Sequence, residues 1–299
     1  MTRKILIEFD KSGAEWVIVA YLSGDARMLE VVESGRSPHP VTAKLISGVP
    51  EPLIIAESKL VGLHTDPEII KDIRQTSLPE LYTGDYFLPR HMSLRQMGKK
   101  SNHGLNYNMR YKRFALENEM DEGDAKTIVT KYREEAYMGI PIWHEAVRRQ
   151  LQKDRTLINC FGRKRVFRDQ WGDELFDAAF SYLPQSTVFD ITREGMVSIM
   201  EDTSSELESL ELLAQVHDSN LTQVDLISVD HLTEVLYIVG HIYMNPELRY
   251  NGRTFHIGTE AKIGFNWSGM LEVKITGDKR ALRKQVDSVW EQLHDNKAA

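Results

Sequence analysis

The chain has 299 residues, long enough to bury a substantial core as one large domain or two subdomains, with 41% hydrophobic and 27% charged residues and no low-complexity run that would argue for disorder. Its single cysteine, Cys160, excludes an internal disulfide and a thiolate metal cluster, so any metal must sit on oxygen or imidazole, and the composition fits a reducing compartment. The net charge of −7 argues, taken whole, against a polyanionic partner.

In chain order, Lys4 to Phe9 alternates as a strand ending at Asp10. Its apolar stretch is broken by Glu8 and Asp10, which excludes a signal-peptide core, and nothing elsewhere approaches membrane-spanning length. A soluble, cytoplasmic protein with no membrane partner is expected. Glu15 to Leu22 reads as a buried helix stopped near Gly24, and residues 34–90, rich in Pro, Gly and Ser, read as an irregular excursion with short helical patches. Ser93 is positioned to cap a helix running through Tyr107, Asp121 or Asp124 to open another through Tyr137, and Pro141 to begin a third reaching Lys153. Cys160 to Arg168 has the pattern of a hairpin around Gly162, and Ala178 to Met200 that of a helix. Leu210 to His217 is a strand that stops at Asp218, with Leu221 to Val224 returning antiparallel to it. The expected class is α+β.

Charge is segregated along this order. Arg90 to Arg113 holds seven Lys or Arg and no acid, and Arg148 to Arg168 holds eight against one acid, Asp154. Such clustering is either the footprint of nucleic-acid or polyphosphate binding or a pair of solvated helix faces. Arg95, Lys99, His103 and Tyr107 recur every fourth residue, so on a helix they form one stripe of two cations followed by two rings. The cations suit a triphosphate, and a flat ring suits a sugar or base. Asp10 and Asp218 each end a predicted strand, and a sheet joining those strands would set two carboxylates side by side, a donor set for Mg²⁺.

Three motifs, in this order, resemble those of family A DNA polymerases, the group that includes bacterial polymerase I and many phage replicases. They are DKSGAEWVIVAYLSGD from Asp10, the Arg95-to-Tyr107 segment and QVHDS from Gln215, and the resemblance runs from Ile5 to Trp267. It implies a palm with an antiparallel sheet built from residues 1–34 and 176–299, and a largely helical fingers subdomain over 35–175, with thumb and exonuclease absent. It implies a DNA-directed DNA polymerase that transfers a deoxynucleotide from a dNTP to a primer 3′-hydroxyl and releases pyrophosphate. Asp10, Asp218 and the backbone carbonyl of Lys11 would hold two Mg²⁺ ions, for which Mn²⁺ can substitute. Arg95, Lys99 and His39 would contact the triphosphate, Lys99 also acting as general acid toward pyrophosphate. Glu15 would crowd the sugar 2′ position, His103 would stand where the nucleotide packs, and Tyr107 would guard the templating position. Gln185 and His217 would lie near the primer terminus, and Arg163, Lys164 and Arg165 along the DNA backbone. CFGRKRVF, from Cys160, resembles a segment beside the DNA, and GFNWSGM, from Gly264, the C-terminal strand and turn.

The chain departs from the pattern at His103, where a phenylalanine or tyrosine is usual, at Ser219, where glutamate is usual, and at Val17, where arginine is common. Serine at 219 is shared with single-subunit RNA polymerases, which keeps a ribonucleotide-transferring relative as an alternative; Glu15 argues against it. A non-catalytic nucleic-acid-binding remnant is the other alternative. Only nine residues precede Asp10, where the family has a thumb and the first palm strands. The expectation is therefore a fragment, or one half of a split polymerase whose separate partner polypeptide carries the thumb and N-terminal palm. The diverged motifs suit a phage-encoded enzyme working in the cytoplasm of a bacterial host.

Overall fold

The computed structural model describes residues 3–11 and 13–295; Ser12 of the first motif lies outside them. The elements, in chain order, are β1 (Lys4–Lys11), α1 (Ala14–Ser23), α2 (Ala26–Glu33), α3 (Pro38–Ser47), α4 (Glu51–Val61), α5 (Pro67–Ser77), α6 (Leu94–Leu105), α7 (Tyr111–Glu117), α8 (Glu122–Thr130) and α9 (Gly139–Asp154). They continue with β2 (Thr156–Ile158), β3 (Lys164–Val166), α10 (Asp173–Glu201), β4 (Glu211–Val216), β5 (Ser219–Asp225), α11 (Val229–Leu236), β6 (Leu248–Tyr250), β7 (Arg253–Phe255), β8 (Thr259–Gly264), β9 (Leu271–Lys274) and α12 (Lys279–Asp295). The chain is a mixed α+β protein, and all its strand pairs among the described residues are antiparallel.

Two compact units divide these elements: Met1–Glu15, Asn159–Arg163 and Gln185–Ala299 form one, Trp16–Ile158 and Lys164–Pro184 the other. The first is built on a five-stranded sheet in the order β4-β5-β1-β8-β9. Strand alternation sends Ile5, Ile7, Phe9 and Lys11 of β1 to a buried face and leaves Glu8 and Asp10 on the other. The buried face packs with Val224, Ala261, Ile263 and Val273 of its neighbours against Leu232, Val235 and Leu236 of α11 and Leu282, Val286 and Val289 of α12. Removing that much apolar surface from water is the main stabilisation of the unit.

The second unit is helical apart from the paired strands β2 and β3; the turn that joins them, with Gly162 at φ 81°, belongs to the first unit. Short polar side chains start its helices: Asp25 accepts from Arg27 N and Met28 N at α2, Asp66 from Glu68 N and Ile69 N at α5, Ser93 from Gln96 N at α6, and Asp121 from Gly123 N and Asp124 N at α8. Asp25 Oδ2 also takes Gly139 N at 2.8 Å, tying the start of α2 to the start of α9. Residues 34–90 are not an irregular excursion but hold α3, α4, α5 and a short 3₁₀ turn at Pro79–Tyr82. Pro38, Pro52 and Pro67 stand in the first turns of helices, where the missing N–H costs nothing, and Gly48 follows α3 in the left-handed conformation that ends a helix. The residues that read as loop are helix punctuation.

Helix α6 also ends earlier than its periodicity suggests. It stops at Leu105, and Tyr107 lies in the turn beyond, where Asn108 adopts φ 67°. An asparagine in the left-handed region offers the chain a turn in place of another helical residue. Wide i→i+5 turns follow α8 and α11, through Tyr137 N to Tyr132 O and Met244 N to Val239 O, each 2.9 Å.

Candidate active site

In the sheet unit, β5 runs antiparallel to β1 with Phe9 opposite Asn220, which brings the end of β1 beside the β4–β5 turn formed by His217 and Asp218. His217 adopts φ 54°, an uncommon conformation for a side-chain-bearing residue, and its side chain is exposed at the hairpin tip. Asp10 has its pKa raised to about 6, first by partial burial and then by the neighbouring Asp218 charge, with Glu8 adding in the same direction. Lys262 and the hydrogen bond from Lys11 N to Asp10 Oδ1, 2.9 Å, oppose the shift. Asp10, its proton affinity raised by the neighbouring carboxylate, forms with Asp218 an oxygen-donor pair whose repulsion a divalent cation would relieve. Among the described residues no group of three or more His, Cys, Asp or Glu forms a metal cage. A carboxylate pair without a cage fits Mg²⁺, which keeps waters and substrate oxygens in its shell.

The Lys11 side chain plays no part on that face. It is 2% exposed, its Nζ donates to Ile257 O and Thr259 Oγ1 at 2.8 Å each, and burial lowers its pKa to about 7. Glu8 lies on the same strand face as Asp10. Its carboxylate accepts from Ser219 Oγ at 3.1 Å and Trp267 Nε1 at 3.4 Å, with Lys262 Nζ at 4.0 Å. Gln185 is exposed on α10 and Glu15 half-buried in the first turn of α1. Arg163 forks onto Asp190, Nε and one terminal nitrogen meeting the carboxylate at 2.6–3.0 Å, and so braces the 159–163 turn against α10.

In the helical unit, Arg95, Lys99 and His103 share one face of α6, half-buried, exposed and exposed in turn. The opposite face buries Met97, Gly98, Ser101 and Asn102. Gly98 is the point of closest approach to α3, since a methyl group there would stand 2.1 Å from His39 O. That contact brings His39 to the α6 cations. Its ring lies 6.3 Å from that of His103, and its pKa is lowered to about 4, first by burial and then by Arg95, His103 and Lys99. His39 is thus neutral at physiological pH. Lys99, Lys100 and His103 line a groove of about 380 Å³ bordered by Met109, Glu117 and Asn118. On β3, Lys164 and Arg165 are exposed, Arg165 lying over Phe167 at 4.6 Å.

The sequence model of one family, DNA polymerase family A, matches residues 89–268, more than half of the chain. The chain belongs to DNA polymerase family A. It is 23% identical over 222 residues to DNA polymerase I, thermostable, of Thermus aquaticus, the match covering 72% of this chain and 22% of that protein. This family A chain thus aligns with about a fifth of the length of that relative. A solved structure described as the POL domain of Pol1 from M. smegmatis in complex with DNA primer-template and dNTP superposes with a TM-score of 0.64. The identity is 21%, over 88% of this chain and 40% of that one, a likeness of fold. No helix among the described residues is long and apolar enough to cross a membrane.

Three groups in this family A chain escape the motif-based reading. Glu8 was detectable in principle, because two residues before Asp10 on a strand is the same face. Asn102 and Thr42, which meet behind the α6 stripe, carry no periodic signal, since they are joined by tertiary packing alone.

Proposed function

We propose that the chain performs template-directed, two-metal deoxynucleotidyl transfer, with the sheet unit acting as palm and the helical unit as fingers. The observation that carries the proposal is the electrostatic coupling of Asp10, at the end of β1, to Asp218 in the neighbouring β4–β5 turn, in a chain of this family. Asp10 and Asp218, with the Lys11 carbonyl, hold the cations. Bound Mg²⁺ supplies Lewis-acid stabilisation of the attacking and leaving oxygens of an in-line phosphoryl displacement.

Arg95 and Lys99 neutralise the triphosphate, and Lys99 delivers a proton to the departing pyrophosphate. Neutral His39 contacts a phosphate oxygen. Glu15 excludes a 2′-hydroxyl, His103 packs against the nucleotide and Tyr107 borders the templating base. Gln185 and His217 contact the primer end, and Lys164 and Arg165 the DNA backbone. Arg163 serves the same basic segment, with most of its charge offset by Asp190.

Primer extension with Mg²⁺ and either deoxy- or ribonucleotides tests the proposal, alongside Asp10→Asn and Asp218→Asn. Loss of extension in both variants is expected; activity that survives either substitution would sink it. Replacing Glu15 by Ala is expected to raise ribonucleotide use, and no change there favours the RNA polymerase-like reading.

A further inference from the structure

Behind the α6 cations lies a buried chain of hydrogen bonds whose direction is fixed at one end. Tyr137 O–H and Thr42 Oγ1 lie 2.7 Å apart, Thr42 Oγ1 donates to Asn102 Oδ1 at 2.9 Å, and Asn102 Nδ2 meets His39 Nδ1 at 3.2 Å. Tyr132 O–H approaches the same Asn102 Oδ1 at 3.2 Å and donates to Asn106 Oδ1 at 2.7 Å. Asn102 is 3% exposed, and Tyr132, Tyr137 and Thr42 are buried as well.

The orientation of the Asn102 amide follows from counting protons. With Oδ1 toward Thr42, Tyr137 donates to Thr42, Thr42 to Asn102, and Asn102 Nδ2 to His39. Every hydroxyl proton of that chain then has an acceptor. With the amide reversed, Nδ2 would donate to Thr42, and either the Thr42 or the Tyr137 proton would have no acceptor among the described residues. A buried donor left in that state disfavours the reversed amide by a population ratio of roughly five to a hundred or more. The phenol of Tyr137, its pKa raised by burial, remains a donor at all physiological pH.

We propose that Asn102 is a positioning residue for nucleotide binding: by donating to His39 Nδ1 it holds the neutral ring in the Nε2–H tautomer, so that His39 presents a donor to a phosphate oxygen. The inference rests on the reading of the α3–α6 face as the triphosphate site. Phosphate oxygens only accept, so a neutral imidazole is useful there in one tautomer and repulsive in the other. Arg95, Lys99 and His103 are the charged or titratable groups that face His39, and they disfavour its cation. The tautomer, set by Asn102, therefore decides what the ring can do.

Nitrogen-15 NMR of the imidazole in the full chain at pH 7 tests this, with His39 assigned by comparison with His39→Gln. The expected result is protonation at Nε2 in the wild type and at Nδ1 in Asn102→Asp, whose carboxylate can only accept. Binding of a non-hydrolysable dNTP is expected to weaken about tenfold in Asn102→Asp at pH 8 and to recover toward pH 6, as the ring becomes a cation with a proton on both nitrogens. The wild type should show no such recovery. An Nδ1–H wild-type ring, or a tautomer indifferent to Asn102→Asp, would overturn the proposal. Should that variant fold poorly, Asn102→Ala removes the amide donor itself, and an unchanged single Nε2–H tautomer there is equally fatal. Unchanged nucleotide affinity in Arg95→Ala would instead defeat the underlying site reading, independently of the NMR result.

Discussion

Glu57 Oε2 accepts the backbone N–H of Leu94 at 3.0 Å, while its Oε1 takes the Arg74 guanidinium at 2.6 and 3.0 Å. Arg74 in turn donates to the carbonyls of Pro89 and Met92 at 2.6 and 3.0 Å. Both side chains are nearly sealed from water, so this ion pair fastens the segment leading into α6 and its first residue together. Arg95 is the next residue in the chain. Replacing Glu57 by Gln is expected to cost about 3–5 kcal/mol, because a guanidinium is left buried without its countercharge. Urea unfolding of the variant measures it, and a change below about 1 kcal/mol would contradict the account.

A second expectation concerns pH. Asp10 binds its proton more tightly folded, at about 6, than in an unfolded chain, where the ordinary value is 3.8. Between those values the folded state holds more protons, so this group's contribution to stability is fully present below about pH 4 and is lost as pH rises through 6. In the metal-free chain, Asp218→Asn is expected to lower the Asp10 pKa, leaving the part due to burial. Protons compete with cations here, so Mn²⁺ affinity measured by electron paramagnetic resonance should fall below about pH 6.

Lys11 gives the opposite slope. Its folded pKa of about 7 lies under the ordinary 10.5, so the unfolded chain binds the extra proton in that window and stability rises with pH across it. Lys11→Met removes this dependence. Thermal unfolding of the two proteins between pH 7 and 10 should diverge, with the wild type gaining relative to the variant.

Glu8 adds negative charge on the Asp10 face while Ser219 and Trp267 hold its carboxylate. Glu8→Gln keeps the shape and removes the charge. The Asp10 pKa should fall and Mn²⁺ affinity should weaken on the order of threefold, since the partly exposed setting still screens the interaction. Calorimetric titration reads the second effect, and unchanged affinity would make Glu8 a purely structural anchor. Ser219→Ala, which loses the tether but no charge, should change affinity less.

The sequence declares what is local. The alternation in KILIEF, the cap at Ser93, the turn at Gly162 and the four-residue recurrence of Arg95, Lys99 and His103 are each decided within a turn or a strand, and each has its counterpart in the fold. What stayed hidden is decided at a distance. Pro38, Pro52 and Pro67 look the same whether they interrupt a chain or open a helix, and only packing against the rest of the unit tells which. The buried side chain of Lys11, the pairing of Arg163 with Asp190 and the Thr42–Asn102–His39 chain join residues with no common period. Tyr107 fell outside the helix because Asn108 prefers a left-handed turn, a preference that a stripe of matching positions does not register.

Gly98 contributes no functional group, yet it dictates the mechanics of the residues that do. With no room for a side chain between its α-carbon and the His39 carbonyl, α6 and α3 meet backbone to backbone at this point. So long as that contact holds, the spacing of Arg95 and Lys99 from His39 is set by two backbones rather than by side chains, like teeth cut on a single jaw. A larger residue at position 98 would pry the helices apart and change the spacing of all three side chains at once.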